Sequence, residues 1–405
     1  MNILYIACSC SPCNGSEDKI GWNIPIHSAK RNRVVVLTTE DQRKYIESYT
    51  EKHPVSNVSF EYVDIPNIYK KLFRGFFFSG RLNIWHRRAF KVAEEICRKE
   101  QIDIIHQITP VEFRSIGDYG KIPNVKFVCG PIAGGQAIPE ALMRYTGLYR
   151  GIEWLRTLIN ATCKLMFSVQ RKTDWCDGFF FANQETMEYL KKCIPEGKRL
   201  GVYTDVAANT CEFVCSEKNI GKPIHFLVVG RLVYLKGQAF LMDALAGIPK
   251  DMEYICHIVG AGNQRGFLEK QCCSLGLQNR VYFDGQIPYD EMKSVYHEAD
   301  VLIMPSFREA TGSVVMEAME NGLPVITINK FGGATILDEE TGWLYDGNSR
   351  EEYIENLKKA IVECIQNPEI VKQKGKNAQK RTEKYTWEEK VKYYQSIYEK
   401  LLLEN

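Results

Sequence analysis

Two glutamates, Glu309 and Glu317, stand eight residues apart in the stretch MPSFREATGSVVMEAMENGLPVI, from Met304 to Ile326. The apolar run DVLIMP before them predicts a buried strand, and Val314 to Asn321 predicts a helix, so Glu309 falls in the loop between the two. Around the start of that helix, Ala310, Thr311, Gly312 and Ser313 offer backbone N–H groups that no helical carbonyl can take, a ready setting for an anion. A carboxylate repels a neighbouring anion, so Glu309 is expected to face hydroxyl donors, and a phosphorylated sugar supplies both groups. Glu317 sits among Val314, Val315, Met316, Ala318 and Met319, apolar nearly all round, and a carboxylate on a buried helix needs a partner. The plainer alternative is a capping or surface-helix glutamate.

Arg231 follows the apolar strand IHFLVVG, and Lys236 comes five residues later in a loop that opens a helix. Two long cations there suit a diphosphate, whose charge must be met as its bond to a sugar breaks. Taken singly they would make an ordinary solvated basic loop. Gly260 and Gly262 in VGAGN mark a turn into a helix, and no full G-x-G-x-x-G follows the first strand, which speaks against a dinucleotide oxidoreductase. His106, closing the run DIIH, reads equally as a site residue and as a hydrogen-bonded core histidine. Cys8, Cys10 and Cys13 form a C-x-C-x-x-C cluster with no second Cys or His pair near it, short of the four ligands of structural zinc.

The elements that must carry these residues alternate. In the first half NILYIAC, NRVVVLTT, IDIIHQIT and VKFVCGPI read as strands, with a helix at Glu17 to Arg31 and further helical stretches between them. The second half repeats the pattern with IHFLVVG, EYICHIVG, RVYFDG, DVLIMPS and LPVITIN, separated by helices such as QAFLMDALAGI and GFLEKQCCSLG. Strands alternating with helices predict an α/β architecture of two parallel sheets covered on both faces. At 405 residues the chain exceeds what one core serves, and apolar density falls between Asp205 and Pro223, where the boundary is placed. Two such units facing each other would make a cleft lined by strand C-termini.

No run of about 18 apolar residues exists, so a membrane-spanning helix is not expected. MNILYIACSCSP lacks a basic leader region and reads as a first core strand. Fourteen scattered cysteines without an export signal read as reduced thiols, hence a cytoplasmic setting. Residues 1–205 hold 29 Lys+Arg against 22 Asp+Glu, a charge of +7, and the remainder holds 23 against 28, a charge of −5. That asymmetry predicts different partners for the two halves. Within residues 69–91, Lys70, Lys71, Arg74, Arg81, Arg87, Arg88 and Lys91 alternate with Phe73, Phe76, Phe77, Phe78 and Trp85. This mixture suits peripheral contact with an anionic membrane surface, or a helix packed on its domain with a basic edge. Nucleic acid is not an expected partner, since the overall charge is near neutral and no reading helix is evident.

Taken in order, VVGRLVYLKG, VGAG, VYFDGQIP, the E-x7-E pair, G-x-P-V-I (Gly322 to Ile326), the double glycine Gly332-Gly333 and T-G-W-L (Thr341 to Leu344) resemble the retaining glycosyltransferases of family 4. The resemblance implies a GT-B fold: two facing Rossmann-like doubly wound domains, 1–205 for the acceptor and 206–384 for the nucleotide sugar, with 385–405 a helix crossing back to the first. It implies that Arg231 and Lys236 bind the donor diphosphate, with Thr311, Gly312 and Ser313 at the helix tip. Glu317 then accepts from ribose hydroxyls, and Glu309 lies near the transferred sugar. The loop of Gly260 and Gly262 and the one around Gly285 to Pro288, Ile287 included, approach the base. Gly15 lets the N-terminal loop approach the donor, although only one glycine stands where two are common, and CGPIAGG (Cys129 to Gly135) forms a second glycine loop. The family's functional histidine is often the second of an H-x-H, a site occupied here by Ile108.

Two departures touch donor selectivity. Thr311 stands where the family often has an aromatic residue, and ATILDEE does not place a glutamate at the usual spacing after Gly332-Gly333. The implied activity is transfer of a sugar from a nucleotide-diphosphate donor to a hydroxyl on a saccharide or lipid-linked acceptor, in cell-surface polysaccharide or glycolipid assembly. No cofactor and, without a D-x-D motif, no metal is expected. The alternatives are a nucleotide-sugar epimerase, a sugar phosphorylase on the same architecture, and a non-catalytic sugar-nucleotide-binding partner of another transferase. The implied place is the cytoplasm, in reach of the inner face of the cell membrane.

Overall fold

The structure, a computed structural model, describes residues 1–13, 15, 17–72, 78–209 and 220–404. The chain divides into two compact units. The first comprises Met1–Gly135, Thr157–Val206 and Trp387–Asn405, and the second comprises Gln136–Arg156 and Ala207–Thr386. The segment Gln136–Arg156 therefore belongs to the second unit, a correction to the boundaries 1–205 and 206–384 expected from the sequence. The reason is burial: Ile138 and Leu142 enter the second unit's hydrophobic core, and Glu153 accepts from Tyr234 and Arg308 there.

The first unit is built on seven strands: β1 (Asn2–Ala7), β2 (Arg33–Thr39), β3 (Val58–Val63), β4 (Ile104–Thr109), β5 (Lys126–Ile132), β6 (Gly178–Phe181) and β7 (Arg199–Val202). They lie in the order β3-β2-β1-β4-β5-β6-β7, every pairing parallel. All six residues of β4 are buried, as a strand covered on both faces requires, and its run is correspondingly apolar. Edge strand β3 instead alternates between half-buried and exposed residues along VSFEY, a weaker pattern that the sequence reading passed over. Trp85, Tyr119, Phe127, Phe179 and Phe181 fill the core.

The last helix, Trp387–Leu403, belongs to this unit and packs against the helix Glu17–Ser28. Its buried Lys390 donates to the carbonyls of Thr204, at 2.5 Å, and Val206, at 3.1 Å. Gln395 on the same helix accepts from Asn32 at 3.0 Å.

The second unit carries β8 (Ile224–Val229), β9 (Tyr254–Val259), β10 (Val281–Gly285), β11 (Val301–Met304), β12 (Val325–Ile328) and β13 (Gly342–Tyr345) in the order β10-β9-β8-β11-β12-β13, again all parallel. The helices Gln238–Ala246 and Arg265–Ser274 follow β8 and β9, and Met292–Glu298 and Ser313–Glu320 flank β11. Strand order runs outward from β8 to β10, then resumes on the other side of β8 at β11. Ligands of open α/β sheets bind at such a reversal, beyond the carboxyl ends of the strands.

Candidate functional site

The loops leaving β8 and β11 part at this reversal and are tied together beyond it. Phe307 N–H donates to the carbonyl of Leu235 at 2.8 Å, joining the loop after β11 to the turn Tyr234–Lys236. Gly237, with φ 68°, ends that turn, and a Cβ there would lie 1.8 Å from the carbonyl oxygen of Pro305, so only glycine permits this approach. On the other side, Gly260 N–H donates to the carbonyl of Gly285 at 2.6 Å and Gly230 N–H to that of Val259 at 3.0 Å. A Cβ on Gly260, at φ 141°, would meet the carbonyl of Gly230 at 2.0 Å. Gly262 similarly lies against the carbonyl of Leu232. The sequence-marked glycines thus let four loops gather at one end of the sheet, with half-buried Ile287 on the loop after β10.

Across the reversal, the Lys236 ammonium is paired with the Glu309 carboxylate, both side chains largely buried. The lysine folds back over Gly230, and Ser306 Oγ donates to the same carboxylate oxygen of Glu309 at 3.1 Å. Arg231 is exposed and has no ion pair among the described residues. Gly312 caps the helix Ser313–Glu320, whose Val315, Met316, Ala318 and Met319 are buried as their apolar run predicts. The first N–H groups of that helix have no carbonyl a turn earlier to receive them. Glu317 is half-buried and has the partner its setting demands: Tyr296 Oη donates to it at 2.8 Å. Burial, together with the Glu317 charge, drives the Tyr296 hydroxyl far above its ordinary pKa and keeps it a donor. Thr311 is fully buried, and its hydroxyl oxygen has no hydrogen-bond partner among the described residues.

Sequence reasoning missed a second layer behind these groups. Glu153, 2% exposed, accepts from Arg308 and from Tyr234 Oη. Arg308 adjoins Glu309, and Tyr234 opens the turn that ends in Lys236. Tyr149 stacks on Tyr234 with centroids 4.1 Å apart, and Gln264 donates to its hydroxyl at 2.9 Å. The segment Gln136–Arg156 therefore braces both loops that present the Lys236–Glu309 pair. Arg308 and Tyr234 lie inside motifs, but Glu153 lies 155 residues from Arg308, and no local pattern in the sequence announces it.

His106 takes no part in this arrangement. It lies fully buried on β4, opposite Tyr5 in register with β1. Its Nε2 stands 2.7 Å from the carbonyl of Gly130, which can only accept, so Nε2 carries the proton and Nδ1 accepts from Tyr398 Oη at 2.5 Å. Burial lowers its pKa to about 3, the Gly130 carbonyl opposing in part, and the ring is neutral. Of the two readings of His106, the structure gives the core histidine, fastening the last helix to the central strand. Gly15 is half-buried in the loop after β1, two residues before Glu17. Glu17 opens the next helix, and burial raises its carboxyl to about 7, the Val111 N–H opposing in part. Burial holds the Cys8 and Cys10 thiols protonated, and no group of His, Cys, Asp and Glu among the described residues could hold a metal. Part of the basic-aromatic stretch, Phe73 to Phe77, and the side chains of Lys70, Lys71 and Phe78 lie outside the described residues. Among the described residues no helix is long and apolar enough to cross a membrane.

Residues 215–398 match the model of the family described as glycosyl transferases group 1. An uncharacterized glycosyltransferase of Methanocaldococcus jannaschii is 37% identical over 124 residues, 30% of this chain and 32% of that protein. D-inositol 3-phosphate glycosyltransferase of Corynebacterium diphtheriae is 31% identical over 196 residues, 45% of this chain and 44% of its own length. The matched stretches thus span 32% and 44% of the length of these curated relatives. Among solved structures, HepE of Anabaena in complex with UDP superposes with a TM-score of 0.64 at 18% identity, covering 99% of each chain. That likeness is one of fold and places the architecture in the GT-B class.

Proposed function

Residues 215–398 match the glycosyl transferases group 1 family model, and on that likeness we propose that the chain moves a sugar from a nucleoside diphosphate to an acceptor hydroxyl, retaining the anomeric configuration. The observation that carries this reading is the Lys236–Glu309 pair held across the strand-order reversal of the second unit. A diphosphate arriving there competes for the ammonium and releases the carboxylate toward the sugar hydroxyls. Arg231, which has no ion pair among the described residues, and the N–H groups of Gly312 and Ser313 complete the anion's surroundings. Glu317, oriented by Tyr296, accepts from the ribose.

As the bond from C1 to the diphosphate oxygen breaks, the acceptor oxygen bonds to C1 from the same face, and its proton passes to the departing diphosphate. Lys236 and Arg231 stabilise the charge that grows on the leaving group, and Glu309 faces the positive charge growing at C1. Since two side-chain cations and a helix tip meet the diphosphate, the reading requires no divalent metal. HepE, of like fold, is known bound to UDP and to UDP-glucose, which makes uridine diphosphate sugars the first donors to assay. A saccharide or lipid-linked acceptor in cell-surface polysaccharide or glycolipid assembly, on the cytoplasmic side of the membrane, fits the reaction.

The test is release of nucleoside diphosphate from a panel of UDP-, GDP- and ADP-sugars, with and without a chelator. Lys236→Ala and Arg231→Ala should each cut turnover by ~100-fold or more, with the chelator without effect. Near-normal turnover in both variants would refute the assigned roles, and sugar interconversion without diphosphate release would favour an epimerase.

A further inference from the structure

The first unit contains a cavity of about 790 Å³ that none of the chemistry above uses. Two helices leave it open between them. Phe78–Lys99 turns His86, Arg87 and Phe90 toward it, and Arg150–Val169 turns Cys163, Met166 and Phe167, each set at spacings of three and four residues along one helical face. The loop after β4 supplies the floor through Phe113, Arg114 and Ile116.

The lining is of two kinds. Phe113, Ile116 and Phe167 are buried and make an apolar interior. Around it stand the cations of Arg87, Arg114, Lys121 and Lys172, against Asp118, the one carboxylate in the lining among the described residues. Asp118 is already taken by Lys172 at 2.5 Å and Lys121 at 3.1 Å, so it neutralises neither arginine. Arg114 is in ion-pair range of Glu112 at 3.8 Å, but its buried Nε–H has no hydrogen-bond acceptor among the described residues. Arg87 is exposed at the mouth and has no partner among the described residues. The lining therefore carries four cations against one carboxylate, beside the neutral polar side chains of Asn83, Gln170 and His86, a setting that favours an anionic group over a cation.

Its apolar side does not stop at the mouth. Met166 lines the cavity and is 45% exposed, and Leu165 and Val169 beside it on the same helix are 63% and 65% exposed. Leu158, two turns earlier, is also exposed. A ligand with an anionic head among the arginines and an aliphatic tail along this stripe would satisfy both halves at once.

We propose that this cavity binds the phosphate-bearing end of an amphipathic lipid, with its chain laid along Leu158, Leu165, Met166 and Val169. This builds on the transferase reading by naming a class for the acceptor's anchor. The same chemistry has two sources, a membrane phospholipid head group and a lipid-linked phosphate substrate.

The experiment uses the full chain and three soluble probes: short-chain phosphatidic acid, inorganic phosphate and the uncharged short-chain diacylglycerol, each followed by calorimetry. Phosphatidic acid should bind, and the other two should bind at least ~10-fold more weakly. Arg87→Gln and Met166→Glu, both at exposed positions, should each weaken phosphatidic acid binding by roughly tenfold or more. Equal binding of phosphate alone, equal binding of the uncharged lipid, or variants that bind as the wild type does would each overturn the proposal. Flotation then separates the sources. Recovery with phosphatidylglycerol vesicles identifies a head group, and recovery only when polyprenyl phosphate is added identifies the substrate. UDP-induced thermal stabilisation, read on the same samples, tests the second unit separately. Its absence alongside phosphatidic acid binding would count against the transferase reading and not against this site.

Discussion

Glu153 offers the sharpest test of how the second unit holds its reactive loops. The carboxylate is 2% exposed and receives hydrogen bonds from Arg308, whose side chain is 12% exposed, and from Tyr234. Removing one member of such a buried pair strands the other charge, a cost of about 3–5 kcal/mol, whereas removing both leaves no unpaired ion. Glu153→Ala and Arg308→Ala should each destabilise by that amount, and the double variant by no more than either single one. The resulting coupling is about 3 kcal/mol, far beyond the ~0.5 kcal/mol scatter expected of independent sites. In a unit of this size each kcal/mol lowers Tm by roughly 2–4 °C, so each single variant should melt about 10 °C early. Urea unfolding of the four proteins supplies the cycle, and single-turnover kinetics on the folded fraction supplies the second readout. Because Tyr234 and Arg308 adjoin the Lys236 turn and Glu309, turnover should fall by ~100-fold if the two groups move by about an ångström. Additive destabilisation, or an intact rate in Glu153→Ala, would show that the bracing is incidental.

Two further outcomes follow from buried groups in the first unit. Burial lowers the Lys390 pKa to about 7, Asp205 opposing in part, so between pH 7 and the ordinary lysine value the unfolded chain holds a proton that the folded one has released. Stability should therefore climb as pH rises across that window, by at most ~1.4 kcal/mol per pH unit, and urea unfolding of Lys390→Met at pH 7 and 9.5 should show the climb abolished. His106→Phe removes one hydrogen bond each from the Tyr398 hydroxyl and the Gly130 carbonyl, at a cost of roughly 1–3 kcal/mol, while turnover per folded molecule stays normal. A stable but inactive variant would return His106 to the catalytic machinery.

The parts of this molecule legible in the sequence are those whose physics is local. Buried parallel strands such as β4 and β11 appear as apolar runs, and the helix Ser313–Glu320 shows its buried face directly. Edge strand β3 is half solvated, and β7 has four residues, all half-buried, so neither presents an apolar run. The Lys236–Glu309 pairing was accessible only as two separate motifs; that they neutralise each other depends on how two loops fold back at the strand reversal. Glu153 was invisible for the same reason in stronger form, since its partners are brought to it by tertiary structure alone. His106 shows the converse. Its position after a strand invited a chemical role, but its surroundings are made by a helix nearly 300 residues away in sequence.

The membership of Trp387–Leu403 in the first unit bears on how the protein is made. A ribosome emits the first unit's sheet early, yet the tyrosine that donates to His106 and the lysine that seals Thr204 and Val206 emerge only after Ala207–Thr386 of the second unit. The second unit can therefore close first, while the nascent first sheet waits with its docking face uncovered. Any fragment cut at the junction near Val206 would carry that uncovered face permanently and be prone to aggregate.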